Sequence, residues 1–277
     1  DKFMWKGIDV SSHQGAINWG AVKAAGCDFA ILRSTIKSGR PDKQFAANVA
    51  GCVTWDIPME VYKYTYALTP TQAVEEAQQV VSLLRSHGLT CRVWWDVEDN
   101  SLRTLNQGVL TGLIQSAADI ITGAGYEFGI YTGKSFYQEG VFDITAFDCP
   151  FWMARYPLSR YYALADDPPA DKYKPSVTQP LVAWQYTSNG RVDGITGPVD
   201  LNVCYIPFWT AQAPEYYLQD IWHGTSISKA LESIGEDGSY QHRAQIAAAN
   251  GIAGYAGTAA QNTHMLNLLR TGQLQKA

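Results

Sequence analysis

The 277-residue chain is first constrained by what it lacks. It has no apolar run of membrane-spanning length, no long Lys/Arg stretch and no evident internal repeat. The opening residues, Asp1-Lys2-Phe3-Met4-Trp5, do not read as a signal peptide. With a formal net charge of -5 there is nothing to attract nucleic acid phosphates. Cys27, Cys52, Cys91, Cys149 and Cys204 are odd in number, widely spaced and without a Cys-x-x-Cys pair, which suits buried thiols better than a zinc site. No His-rich or Asp-dense loop suggests a metal, so no cofactor is expected.

What the chain has in quantity is amphipathic aromatic side chains, 9 Trp and 16 Tyr, a supply that serves either a core or a carbohydrate-lined groove. Strand-like runs occur at Gly7–Val10, Phe29–Arg33, Met59–Tyr66, Arg92–Val97 and Glu127–Tyr131. Between them lie helical patterns at Trp19–Ala25, Lys43–Trp55, Thr69–Gly88 and Thr104–Ala124. The rhythm then changes. Phe151–Arg155, Leu181–Tyr186 and Val199–Tyr205 read as strands with little room for helices between them. Alternating β and α units ending in eight strands point to an α/β fold, a modified TIM-like barrel with its chemistry at the carboxyl ends of the strands.

The predicted boundaries are a barrel over 1–210, a linker over 211–220 and a small all-α unit over 221–277. Three helices are expected in that unit: one from Ile227 to Gly235 behind Thr225 and Ser226, one over Tyr240–Ala249, and one behind Thr258. About 57 residues make a marginal core alone, so this unit is expected to dock on the barrel or on a partner, a second copy of the chain included.

The polar pair in Trp94-Trp95-Asp96-Val97-Glu98 carries the strongest chemical signal. Spacing i, i+2 on a strand puts both carboxylates on one face, about 7 Å apart along the backbone. On an otherwise buried strand such a pair costs several kcal/mol of desolvation, roughly, unless partners or chemistry compensate. Asp9 and Asp200 fall at the ends of other strands, with Tyr64, Tyr131, Trp184 and Tyr186 near the same rim, and Arg33 is placed to pair with an acid.

The order of Gly7-Ile8-Asp9-Val10-Ser11-Ser12-His13-Gln14-Gly15, Ala30-Ile31-Leu32-Arg33, Trp95-Asp96-Val97-Glu98, Gly129-Ile130-Tyr131-Thr132, Trp152-Met153-Ala154-Arg155-Tyr156, Trp184-Gln185-Tyr186 and Val199-Asp200-Leu201-Asn202 resembles glycoside hydrolase family 25, the lysozymes of muramidase type. The resemblance implies a barrel with five helices and three late strands, and hydrolysis of the β-1,4 bond between N-acetylmuramic acid and N-acetylglucosamine in peptidoglycan. It implies Glu98 as general acid and then base, and Asp96 as stabiliser of the developing cation or partner of the substrate's acetamido group, with direct attack by Asp96 and an inverting water as the alternatives that spacing leaves open. Asp9, Asp200, Arg33, Tyr64, Tyr131, Trp184 and Tyr186 become substrate-binding or supporting residues. Extracellular work in the bacterial cell wall follows, as a phage endolysin or a secreted autolysin, and residues 221–277 resemble the small C-terminal modules of wall hydrolases, which implies wall targeting beside dimerisation as the role of that unit. Only Ser34-Thr35-Ile36-Lys37 departs from the family's usual loop. Two rivals use the same residues: a hydrolase holding Mg²⁺ or Ca²⁺ on the four acids, and a binding protein that keeps the groove without turnover.

Overall fold

The structure, a computed structural model, describes residues 4–207, 216, 217, 219 and 224–277. The expected linker, 211–220, lies outside the described residues except for Tyr216, Tyr217 and Gln219. The chain divides into two compact units, one of residues 1–122 and 126–211 and one of residues 123–125 and 212–277.

The larger unit is a closed barrel. Strands β1 (Trp5–Val10), β2 (Phe29–Arg33), β3 (Met59–Tyr64), β4 (Val93–Val97), β5 (Phe128–Gly133) and β6 (Phe151–Ala154) pair in parallel, each with the next in sequence. The two-residue β7 (Tyr162–Ala163) is a side branch on β8 (Leu181–Arg191), and β8 pairs parallel with β6. β9 (Val199–Cys204) runs antiparallel between β8 and β1 and closes the ring. The eight expected strands are all present; β7 is an addition, too short to leave a sequence pattern.

Strand alternation decides what fills the barrel. Trp94, Tyr131 and Trp152 point inward and form one buried cluster with Phe29, Ile31, Ala183 and Cys204. Trp95, one residue out of phase with Trp94, packs outward near Phe128 at 6.3 Å between ring centroids. Two inward glycines make this possible. A Cβ on Gly129 would stand 2.5 Å from the Trp94 ring, and one on Gly7 would stand 2.6 Å from the Phe29 ring.

Outside the strands lie α1 (Trp19–Ala24), α2 (Phe45–Thr54), α3 (Pro70–Ser86), α4 (Gln107–Gly123) and α5 (Lys134–Glu139). Asn18 caps α1 by accepting from the Ala21 amide, and Thr69 caps α3 with Pro70 at its first position, where the missing N–H is no loss. α4 turns Leu110, Leu113, Ile114, Ala117 and Ile121 to the barrel. Its beginning differs from expectation, because Asn100–Thr104 forms a separate 3-10 turn capped by Asp99. α5 has six residues, below the length at which periodicity is readable, and brings the helices of this unit to five.

In the second unit α6 (Ile227–Ser233), α7 (Tyr240–Ala249) and α8 (Ala259–Arg270) are capped by Ser226, Ser239 and Thr258. Thr258 and Gln261 form a reciprocal capping box. Ile227, Leu231, Ile246, Met265, Leu266 and Leu269 meet in its core, joined by Tyr217 and Leu274.

Gly129→Val is expected to destabilise the barrel by about 1–3 kcal/mol, the usual range for overpacking a filled core. Urea unfolding followed by tryptophan fluorescence measures it, and an unchanged midpoint would show that the Trp94 ring can move aside.

Candidate active site

Four carboxyl groups meet at one mouth of the barrel. Asp9 lies one residue before the end of β1, Asp96 near the end of β4, and Glu98 just beyond β4. Asp200 sits at the start of β9, not at its carboxyl end as expected. Antiparallel pairing corrects the reason but keeps the place, since it sets Asp200 directly across from Asp9.

The acids differ in their hydrogen bonds. Asp9 is buried, and its Oδ2 accepts from Gln185 Nε2 and Asn202 Nδ2, both at 2.8 Å. Gln185 Nε2 also reaches Asp200 Oδ2 at 3.5 Å. The other end of the amide, Gln185 Oε1, accepts from the Tyr131 hydroxyl at 2.7 Å and the Tyr156 hydroxyl at 2.5 Å. These four bonds allow one orientation of the amide, with nitrogen toward the acids and oxygen toward the tyrosines. Asp96 Oδ1 is buried and accepts no hydrogen bond from the protein.

Burial and crowding push all four carboxyls toward the protonated form. For Glu98 the main cause is burial, followed by Asp9 and Asp99, and its pKa rises to about 7. Asp200 rises to about 9 through burial and the neighbouring Asp9, to which it hydrogen-bonds. Asp96 is held well above the usual range by burial and then by the charges of Glu98, Asp9 and Asp200. Burial also raises Asp9, but Asn202, Gln185 and Asp200 all oppose that shift by hydrogen bonding. Asp9 is therefore the member best equipped to stay ionised, while Asp96 and Asp200 are the members driven to hold protons. Glu98 can give one up near neutrality.

A cleft of about 560 Å³ opens beside Glu98, with Tyr131, Lys134, Arg155 and Tyr156 on its walls. The Tyr156 ring is 49% exposed although its hydroxyl is anchored on Gln185. Tyr64, across the mouth, donates to Asp99 Oδ2 at 3.2 Å and lies against Tyr66 with ring centroids 4.8 Å apart. Tyr62, partly buried against the aromatic cluster of the barrel, has its hydroxyl pKa raised by desolvation and then by the charges of Asp9 and Asp96.

Three expectations change. Trp184 and Tyr186 stand out of phase with Gln185, face away from the barrel interior, and are 1% and 0% exposed. Trp184 Nε1 donates to the Arg155 carbonyl at 2.9 Å, and Tyr186 packs against Tyr162 with ring centroids 5.3 Å apart, so neither offers a face to a ligand. Arg33 pairs not with the barrel acids but with Asp42, at 2.7 Å, and donates to Ser12 Oγ at 3.0 Å. Burial opposes ionisation of Asp42, yet the Gln44 and Ser12 amides and Arg33 outweigh it and hold the carboxyl below its ordinary range. Tyr131 is buried and acts through Gln185. Among the described residues no group of three or more His, Cys, Asp or Glu is placed to hold a metal ion.

The sequence reading passed over Gln185, Asn202 and Tyr156. Gln185 carried the same signal that marked Asp96, a polar side chain within an otherwise apolar strand.

The Asp200 shift has a consequence for stability. Between its ordinary value of 3.8 and about 9, the folded chain holds a proton that the unfolded chain has released. Stability therefore falls as pH rises through that window. Asp200→Asn keeps an N–H donor for Asp9 without the titration. The variant is expected to match the parent's melting temperature near pH 4 and to exceed it by several degrees at pH 8, as roughly 1–2 kcal/mol would give. Parallel melting curves in thermal scans across that range would contradict the assignment.

Comparison with known proteins identifies the family of the barrel. A family model described as Glycosyl hydrolases family 25 matches residues 8–195. The "Autolytic lysozyme" of Clostridium acetobutylicum is 27% identical over 197 residues, 71% of this chain and 55% of that protein. "Lysozyme M1" of Streptomyces globisporus is 28% identical over 209 residues, 71% of this chain and 66% of that protein. The chain thus spans about half to two thirds of the length of these relatives. The bacterial lysozyme from Streptomyces coelicolor superposes with a TM-score of 0.56 at 25% identity, covering 73% of this chain and 92% of that one.

Proposed function

The chain belongs to glycosyl hydrolases family 25, and from that premise we propose that it is a lysozyme, hydrolysing the β-1,4 bond after N-acetylmuramic acid in peptidoglycan. The single observation that carries this reading is Glu98, a carboxyl poised near neutral pH beside an open cleft and next to three further acids. Glycoside cleavage needs a proton for the leaving oxygen and negative charge near the oxocarbenium-like carbon. Glu98 supplies the proton, and afterwards, as a carboxylate, takes one from the attacking water.

Asp96 stands two residues before Glu98, and its Oδ1 is buried without a hydrogen-bond partner. An acetamido N–H donated to the Asp96 carboxyl favours its ionised form, because hydrogen bonding to a charged acceptor stabilises it. Asp96 then orients the acetamido oxygen toward the anomeric carbon and balances the positive charge that develops. Asp9, fixed by Gln185 and Asn202, keeps Glu98 protonated until the substrate arrives, and Asp200 stores the cluster's second proton. Tyr156 and Tyr64 offer rings on opposite sides of the mouth for sugar contact.

Two relatives are named lysozymes, one of them autolytic, which supports action on bacterial cell walls. For residues 221–277 we carry forward wall targeting as the role, with homodimerisation as the rival. Sedimentation of the whole chain and its retention on purified sacculi, each compared with a chain ending at residue 210, separate the two.

Digestion of Gram-positive peptidoglycan, with new reducing ends read by mass spectrometry after borohydride reduction, tests the activity. Reduced muramic acid ends are expected, and reduced glucosamine ends would mean a different glycosidase. Glu98→Gln is expected to lower kcat by at least about 1000-fold. The wild-type rate should fall as pH rises through about 7, because the acid form of Glu98 is the active one. A rate that climbs through that range would assign the proton to another group.

A further inference from the structure

We propose that Lys134 and Arg155 form a carboxylate-binding subsite on the wall of the cleft beside Glu98, so that the substrate is a glycan strand carrying free carboxyl groups. The inference deepens the lysozyme reading and rests on it.

Both cations line the same cleft as Glu98, which is the one acid among the residues that line it. Each is delivered by the end of a barrel strand: Lys134 opens α5 directly after β5, and Arg155 follows β6. Arg155 is fixed at its backbone, where its N–H donates to the Gln185 carbonyl at 3.0 Å and its carbonyl accepts from Trp184. Its guanidinium makes one long contact, 3.4 Å to the Lys174 carbonyl. That leaves its paired donors for a ligand, in the planar fork that matches a carboxylate.

Lys134 is not explained by stability. A cation at the first position of a helix opposes the partial positive charge of the helix start. The acid on the same helix, Glu139, is already paired with Arg103. Neither cation serves the catalytic acid, since burial, Asp9 and Asp99 set Glu98. Two positive charges thus face the cleft with no carboxylate of the protein committed to them among the described residues.

The sugars of peptidoglycan offer neutral hydroxyl and acetamido groups, apart from the lactyl arm of muramic acid. That arm ends in a free carboxylate once the stem peptide has been removed. While the peptide remains, the arm is an amide and the peptide's own carboxylates lie beside it. The chemistry recognised is the same, and the substrate's history decides which group supplies it.

The test compares three substrates: native peptidoglycan, the same material with its carboxyls converted to methylamides by carbodiimide coupling, and strands stripped of peptide by an amidase. Wild-type KM is expected to be about tenfold higher on the methylamide than on the native material, with kcat little changed. Lys134→Met and Arg155→Met together should raise KM on the native material to the methylamide value and leave the methylamide value where it was. Equal wild-type KM on native and methylamide material, or an equal loss by the variant on both, would overturn the subsite. If stripped strands keep the low KM the lactyl carboxylate is the ligand; if they lose it, the stem peptide is. Should the wild type cleave none of the three, the lysozyme reading fails. Calorimetric binding of stripped strands and of their methylamides to the whole chain then decides the subsite alone, with no preference for the acid form refuting it.

Discussion

Four carboxyl groups in one barrel mouth cannot all be ionised, and the arrangement of the site follows from that constraint. Buried like charges raise one another's pKa, so a stable site must share protons among them and fix who holds which. Here the allocation is made by hydrogen-bond donors. Asp9 accepts two amide N–H bonds and faces Asp200, while Asp96 has a bare oxygen. Gln185 arbitrates, because the Tyr131 and Tyr156 hydroxyls occupy its oxygen and leave only its nitrogen for the acids. A group with the acidity of Glu98 is a consequence first of burial and then of the neighbouring carboxylates. The site therefore gives up stability for chemistry, as a region of buried, imperfectly compensated charge must.

Below the mouth the barrel is filled by rings. Trp94, Tyr131 and Trp152 pack at 4.4 to 5.8 Å between centroids, and the space they need comes from glycines at inward positions. Trp94 Nε1 donates to Glu60 at 2.6 Å, so its one polar atom is satisfied inside the barrel. A rigid floor of this kind keeps the carboxyls above it from relaxing apart.

Much of this was legible in the sequence. All eight barrel strands could be read, as could the caps at Ser226 and Thr258, because local pattern and side-chain chemistry determine them. Asp96 and Glu98 stood out because charge on an apolar strand is expensive. Other features depend on information that local pattern does not hold. The direction of β9 is a pairing property, so Asp200 could be placed at the mouth only by assuming the wrong strand end. Trp184 and Tyr186 were misread because an aromatic on a strand buried on both faces looks alike inward and outward; only their phase relative to Gln185 separates them. The Arg33–Asp42 pair joins β2 to the segment before α2, a contact between loops that periodicity does not register.

The strand that closes the barrel has a further implication. Because β9 runs against its neighbours, β8 and β9 form a ribbon whose connection, 192–198, lies at the same end as the acids. From β1 to β5 each strand that ends at the mouth returns through a helix before the next begins, and β6 returns through a long connection that carries β7. The ribbon carries no such obligation. Its tip is tied to the rim instead by hydrogen bonds, from the Asn18 N–H to the Gly194 carbonyl at 2.9 Å and from Gln14 Nε2 to the Pro198 carbonyl at 3.4 Å, so one short turn joins the strand that carries Asp200 to the start of α1.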